Sequence, residues 1–423
     1  RWERDALEDR LTRALHGGPP DPGRLAARLI MRFDADQPPP AAQVCDFLQD
    51  EPLLVAAWGQ TDVAIVEQSL ILDPLEMGSS PREFPIFPVP NLATWREVRE
   101  WLGLRNNELA WFADREGRQC KSTEAKLHHY RYKWVAKKSG AFRLLENPKP
   151  RLKHIQKQIL REILDRVPPH ASAHGFRRNR STLTYVKPHI GKQTLLRMDL
   201  KDFFHRIPPN QIGALFRRLG YPHEISRLLQ GLCTHASAPQ LAGAPFRKLP
   251  WETQRRLQAK HLPQGAPTSP AIANLCAWRL DCRLCGLADR FGLDYTRYAD
   301  DLAFSGPARL ARLAPHLQAI VGAIALDEGF NINQRKTRLN RASQSQRLAG
   351  IVINEKPNIP RRDYDRLKAI LHNCARFGVE DQNRGRIENF REHLAGRVSH
   401  ANWLNPGKGE RLFATWSDIE WPE

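Results

Sequence analysis

The chain has 423 residues, enough for about two to three domains, with 41% hydrophobic and 26% charged residues and a mean hydropathy of -0.54. That composition excludes a chain disordered throughout, and no apolar run approaches the roughly 20 residues a membrane-spanning helix needs. The net charge of +19 favours polyanionic partners, and it is uneven: residues 1–120 hold 13 Arg, no Lys and 20 Asp plus Glu (-7), leaving 52 basic and 26 acidic residues (+26) in the remainder.

No cleavable signal is readable, and the sequence begins with Arg1 rather than Met, which leaves a trimmed targeting segment open; the expected location is the cytoplasm. Seven cysteines (45, 120, 233, 276, 282, 285 and 374) are an odd number in a long chain and fit a reducing compartment. Cys282 and Cys285 share one helical stretch without a second ligand pair at zinc spacing, so a buried structural pair is expected there rather than a metal site.

In chain order, the breaks His16–Gly23 and Gln37–Pro40 separate short helical patterns, one carrying Leu25, Leu29 and Ile30, and a later one carries Trp95, Val98, Trp101 and Leu102. Between them the proline-rich Glu83–Asn91 reads as a linker, because proline lacks the amide hydrogen and forces its predecessor towards extended geometry. Residues 1–90 are expected to form a helical accessory region. From Lys121 strands alternate with helices. Tyr130–Val135 and Phe142–Leu145 are strands joined by the basic turn Lys137-Lys-Ser-Gly140, and a helix runs from Lys153 to about Val167 with Ile155, Ile159, Leu160, Ile163 and Leu164 on one stripe.

The strand Thr194–Asp199 ends in a carboxylate. The loop Leu262–Pro270 leads into a helix from about Ser269 to Arg290, capped by Ser269 and stopped by Gly292. Asp300-Asp301 then lies between the strand-like runs Tyr295–Ala299 and Leu302–Phe304, as the tight turn of a hairpin. Beyond Pro357, Tyr364, Leu367, Ile370 and Leu371 form one helix face, with Arg361, Arg362, Arg366 and Lys368 elsewhere. Adjacent carboxylates repel unless a cation sits between them. If the strand ending in Asp199 lies beside the hairpin, Asp199, Asp300 and Asp301 together bind two Mg²⁺ ions about 3.5 to 4 Å apart, with Mn²⁺ the alternative ion. Such a pair clamps the attacking and leaving oxygens of a phosphoryl transfer.

Asp199-Leu-Lys-Asp-Phe-Phe204, Gln264-Gly-Ala-Pro-Thr-Ser-Pro270 and Tyr298-Ala-Asp-Asp301 occur in the order and approximate spacing of the bacterial reverse transcriptases, and most resemble the retron type. The Lys137–Arg143 turn, Pro150–Gln156, His174-Gly-Phe-Arg177, Asn333–Thr337 and Asn354–Pro357 extend the likeness over roughly residues 95–423. Two stretches depart from it: Tyr185-Val-Lys-Pro-His189 stands for Asn-Ala-x-x-His, and Leu348-Ala-Gly350 for Val-Thr-Gly. An insertion-like stretch, Thr234–Lys260, precedes the Gln264 loop.

The resemblance implies an α/β (α+β) right hand, with fingers over 91–190, a palm with an antiparallel sheet over 191–354 and a helical thumb over 355–423. It implies RNA-directed DNA synthesis, with the metals held by Asp199, Asp300, Asp301 and the Leu200 backbone carbonyl. Lys137, Arg143, Phe204, Gln264 and Lys336 would meet the incoming nucleotide, and Tyr298, Gly265, Gly350 and His189 the primer or template. The implied partners are deoxynucleoside triphosphates, a structured noncoding RNA and its RNA–DNA hybrid, and an effector protein in antiphage defence. Two other readings stay open: a defence-associated or group II intron-derived enzyme with different priming, and an RNA-binding scaffold restraining an effector. The oligomeric state is not indicated.

Overall fold

A computed structural model describes residues 3–15, 20–33, 39–58, 77, 87–105, 107–136, 140 and 142–421. Lys137 and Lys138, residues 16–19 of the first proline break, Gln37–Pro38 of the second and Glu83–Ile86 of the linker lie outside them. The chain divides into two units, Arg1–Glu76 and Met77–Glu423.

In the first unit, helices span Arg4–Ala14, Pro22–Arg32, Ala41–Gln49 and Pro52–Trp58. Pro22 suits the first turn of its helix, and the Asp21 carboxylate accepts the Gly23 amide at 2.9 Å, satisfying one of the amides that a helix start leaves open. Leu7, Ala26 and Leu29 are buried together against Leu11, Val44, Phe47 and Leu48. Arg28 holds the buried Glu51 carboxylate at 2.7 Å.

The second unit opens with a helix at Trp95–Trp101 that Thr94 and Glu97 close by a reciprocal capping box. Strands β1 (Tyr130–Ala136) and β2 (Phe142–Pro148) form an antiparallel ribbon. The central sheet takes β3 (Thr194–Asp199), β4 (Asp294–Tyr298), β5 (Asp301–Gly306) and β6 (Arg338–Arg341) in the order β4-β5-β3-β6, every neighbour antiparallel.

Every residue of β3 except Arg197 is buried, because both faces of the sheet are covered. Leu196, Met198, Leu302 and Phe304 join the main core with Ile272, Leu280, Leu284, Leu317 and Val321, from helices Ser269–Cys276, Trp278–Phe291 and Leu310–Asp327. Leu195 and Ala303, on the other face, pack against Tyr185, Val186, Ile351 and Ile353. A two-residue turn, Ala349 (φ 46) and Gly350 (φ 83), joins the short strands β7 (Arg347–Leu348) and β8 (Ile351–Val352). Helices Arg361–Phe377, Phe390–Leu404 and Pro406–Ser417 close the chain around Leu367, Leu371, Leu394, Val398 and Leu412.

Three expectations are corrected. The helix foreseen from Ser269 to Arg290 is two helices with Ala277 between them, and Gly292 ends the second in the left-handed region at φ 62. Ser269 is not its cap: it is the first helical residue, and its hydroxyl donates to the Pro263 carbonyl at 2.8 Å, tying the Gln264 loop to the helix. Cys282 is exposed and Cys285 only partly buried, so the two are not a buried pair; the apolar stripe of their helix runs instead through Leu280, Leu284 and Ala288.

Candidate catalytic site

The β3–β5 register sets Asp199 directly opposite Asp301, and Tyr298 pairs with Asp301 across the hairpin. Ala299 and Asp300 make the two-residue turn, and Ala299 takes the left-handed conformation (φ 55) that such a tight reversal demands. Contacts on both sides of the turn hold it. The Leu200 amide donates to the Asp300 carbonyl at 2.8 Å, and the fully buried Arg297 donates to the Ala299 carbonyl at 3.1 Å. Behind it, the His174 amide donates to the Arg297 carbonyl at 2.8 Å; at Gly175 an added Cβ would lie 2.7 Å from the Ala299 nitrogen, so only glycine fits that approach.

Each of the two facing carboxylates carries a cation. Lys336 Nζ pairs with both oxygens of Asp199, the longer contact being 3.1 Å, and Arg197 donates to Asp301 Oδ1 from Nε at 3.1 Å and Nη2 at 2.8 Å. Burial pushes the Asp300 carboxyl above its ordinary value, and the Asp199 and Asp301 charges push it further. Burial also raises Asp199, against the pull of Lys336. Carboxylates so placed favour added positive charge, and an all-oxygen donor set suits a hard divalent cation. The three carboxylates do not converge on one point: among the described residues, the only three-residue cluster with all ligand atoms within 4.8 Å is Glu146, His205 and His261.

The other expected residues spread around this hairpin. Tyr298 is partly buried, 5.5 Å from the Tyr185 ring and 6.3 Å from the exposed Phe176, which lies 6.1 Å from Phe204. Phe204 packs at the margin of the main core. The Gln264 carbonyl accepts the Glu146 amide at 2.7 Å, and Gly265, at φ 130, would set a Cβ 2.8 Å from Asn147 Oδ1, which presses the loop onto β2. Arg143 is exposed on β2 opposite Val135, and Gly350 is exposed on its turn. Asp202 pairs with Arg256 at 3.3 Å.

His189 is corrected. Its side chain is fully buried, held between the Ser305 and Thr296 hydroxyls at 2.7 Å each, and so is not on the surface where a primer or template contact was expected. Burial lowers its pKa from 6.5 to about 4, so the folded chain keeps it neutral. With a folded value below the unfolded one, its contribution is complete above pH 6.5 and fades as pH falls towards 4. The His189 share amounts to about 2 kcal/mol between pH 7 and pH 5. Urea midpoints across that range should fall less steeply for His189→Asn than for the parent; matching slopes would rule out this assignment.

Sequence reasoning missed Arg197 and the fully buried Arg297–Asp281 pair, which meets through two hydrogen bonds of 2.8 and 2.6 Å. Arginine within the apolar run of β3 was the available signal for Arg197; Arg297, in a strand that also carries Asp294 and Thr296, had no such signal.

A carboxylate hairpin beside a third carboxylate strand, on an antiparallel sheet backed by helices, is the palm arrangement of a template-directed polymerase. Residues 135–353 match the family model described as reverse transcriptase (RNA-dependent DNA polymerase). The chain is 38% identical over 296 residues to the retron Mx65 reverse transcriptase of Myxococcus xanthus, covering 68% of this chain and 64% of that protein. It is 34% identical to the retron Mx162 reverse transcriptase of the same organism (75% of this chain, 65% of that one) and 33% identical to the retron Ec86 reverse transcriptase of Escherichia coli (60% and 74%). A foamy viral protease–reverse transcriptase solved with RNA/DNA hybrid aligns at 14% identity and a TM-score of 0.36, over 71% of this chain and 32% of that one. The chain belongs to the reverse transcriptase family and, within it, to the bacterial retron type. It spans just under two thirds of the length of the two Myxococcus relatives. No helix among the described residues is long and apolar enough to cross a membrane.

Proposed function

We propose that this protein is an RNA-directed DNA polymerase that copies part of an associated noncoding RNA into DNA in the cytoplasm, with Mg²⁺ at Asp199, Asp300 and Asp301. The observation carrying this reading is Asp199 facing Asp301 across β3 and β5 with Asp300 on the adjoining turn. When bound, Mg²⁺ supplies positive charge to the primer oxygen and to the departing pyrophosphate. The Asp199, Asp300 and Asp301 side chains and the Leu200 carbonyl would hold that charge in place, and Arg197 orients Asp301. Arg143, Lys137 and Lys336 bind the triphosphate, with Arg143 suited to grip two phosphate oxygens at once. Gln264 and Gly265 line the nucleotide side, and Tyr298 and Gly350 lie along the primer.

On this reading residues 91–190 act as fingers, 191–354 as palm, 355–423 as thumb and 1–90 as an accessory region that recruits an effector protein in antiphage defence. The acidic balance of residues 1–120 favours a protein partner for that region over phosphate. A scaffold without synthesis would not need three carboxylates around one turn, which argues against that alternative. Sequencing the nucleic acid that copurifies with the protein tests the retron reading: a branched RNA–DNA molecule joined through a 2′-hydroxyl is expected, and linear DNA alone would favour a differently primed enzyme.

Phe204→Ala should admit ribonucleotides. If the ring fills the space of a 2′-hydroxyl, its removal lowers the deoxy-to-ribo ratio of kcat/KM by roughly 10- to 100-fold. An unchanged ratio in an active variant would make Phe204 a packing residue only.

A further inference from the structure

A second cluster of chemistry-bearing side chains lies outside the three aspartates, where β2, the turn after Phe204 and the segment entering the Gln264 loop meet. It consists of Glu146, His205 and His261, whose ligand atoms all lie within 4.8 Å of one another. Glu146 and His261 are buried and His205 is partly so. Glu146 Oε2 accepts from His261 Nε2 at 2.9 Å, and Oε1 accepts the Ser237 hydroxyl at 2.6 Å. His261 Nδ1 donates to the Ala259 carbonyl at 2.8 Å, which aims Nε2 inward. A carbonyl behind the ring is what orients an imidazole bound to metal. The His205 ring meets that of His261 edge to face, centroids 4.9 Å apart. His235 adds no fourth ligand. Its Nε2 receives the Tyr132 hydroxyl at 2.9 Å and stays 3.8 Å from Glu146, while that hydroxyl accepts the Ala238 amide.

We infer that Glu146, His205 and His261 form a site for one Zn²⁺ ion, with the fourth position taken by water on the partly exposed side of His205. Two imidazoles and a carboxylate select zinc over the hard Mg²⁺ that the aspartates suit. Zinc bonds of about 2.0 to 2.1 Å set tetrahedral ligand atoms roughly 3.3 Å apart, so the present spread closes by a side-chain rotation of His205. On binding, His261 Nε2 gives its proton to solvent and lends its lone pair to the ion.

The ion would tie together three segments that carry proposed nucleotide contacts: β2 with Arg143, the turn with Phe204 and the loop with Gln264. It would also pin the insertion, whose three short helices (Pro239–Ala242, Ala244–Arg247 and Trp251–Gln258) are closed by the His235–His261 backbone pair at 2.9 and 3.0 Å.

The test is elemental analysis of the full chain, with any affinity tag removed, purified from zinc-supplemented cells and dialysed against metal-free buffer. One zinc per chain is expected in the parent and in Asp300→Asn, and none in His205→Gln, which keeps the Glu146–His261 contact and so the local fold. Chelation should lower the Tm of the parent and leave that of His205→Gln unchanged. Cobalt added to the chelated parent should give the visible absorption of a tetrahedral ion, a readout that needs neither variant. Less than a tenth of a zinc per chain with no cobalt bands, or equal zinc in the parent and His205→Gln, would overturn the site and leave Glu146 and His261 as a buried ion pair only. None of these readouts involves DNA synthesis, so they stand apart from the proposed activity.

Discussion

Asp300→Asn is expected to reduce nucleotide incorporation on the order of 10³-fold or more while leaving RNA affinity within about twofold. Asp300 sits on the turn whose neighbours are Asp199 and Asp301, and its raised proton affinity reflects burial among their charges. Amide for carboxylate removes the negative charge that draws in the metal and changes little in volume, so the turn keeps its shape. RNA affinity comes from dispersed basic contacts and does not depend on this carboxylate. Single-turnover incorporation and filter binding on one preparation separate the two effects. Retention of more than a tenth of parental incorporation would remove Asp300 from the catalytic set.

Asp281→Ala should cost about 3 to 5 kcal/mol, the largest stability loss among the single changes considered. Arg297 and Asp281 are both fully buried, and Tyr295 also donates to Asp281 at 2.9 Å. Removing Asp281 takes both carboxylate oxygens from the guanidinium and leaves it the neutral Asn274 and Ala299 oxygens, at 2.9 and 3.1 Å, and the Phe203 ring. Because that second contact fixes the turn bearing Asp300, incorporation should fall along with stability. Replacing both partners by apolar residues, Asp281→Leu with Arg297→Met, should recover most of the stability, since the penalty lies in an unpaired buried charge. Urea unfolding measures both variants; a loss under 1 kcal/mol for Asp281→Ala would show that Arg297 is satisfied by other groups.

Much of this architecture is legible in the sequence because its signals are local. The apolar run of β3 ending in Asp199, the Asp-Asp turn between two short strands and the Gly292 stop each depend on residues close in the chain. The retron resemblance then supplied the roles. What escaped depends on pairings distant in sequence. Glu146 and His261 are 115 positions apart, and nothing near either residue announces the other. His189 shows a related failure. A histidine in a family motif was read as a contact, but the Ser305 and Thr296 hydroxyls that hold it inside belong to strands β5 and β4. The Cys282–Cys285 expectation failed because a shared helix face does not say which face is buried.

Extension of an annealed primer on a defined RNA template by the purified chain, with Mg²⁺ and the four deoxynucleoside triphosphates, tests the central claim most directly. DNA whose sequence is the complement of the RNA is expected from the parent and none from Asp301→Asn. Folded, RNA-binding protein that makes no complementary DNA with Mg²⁺ or Mn²⁺, or equal synthesis by the Asp301→Asn chain, would contradict it.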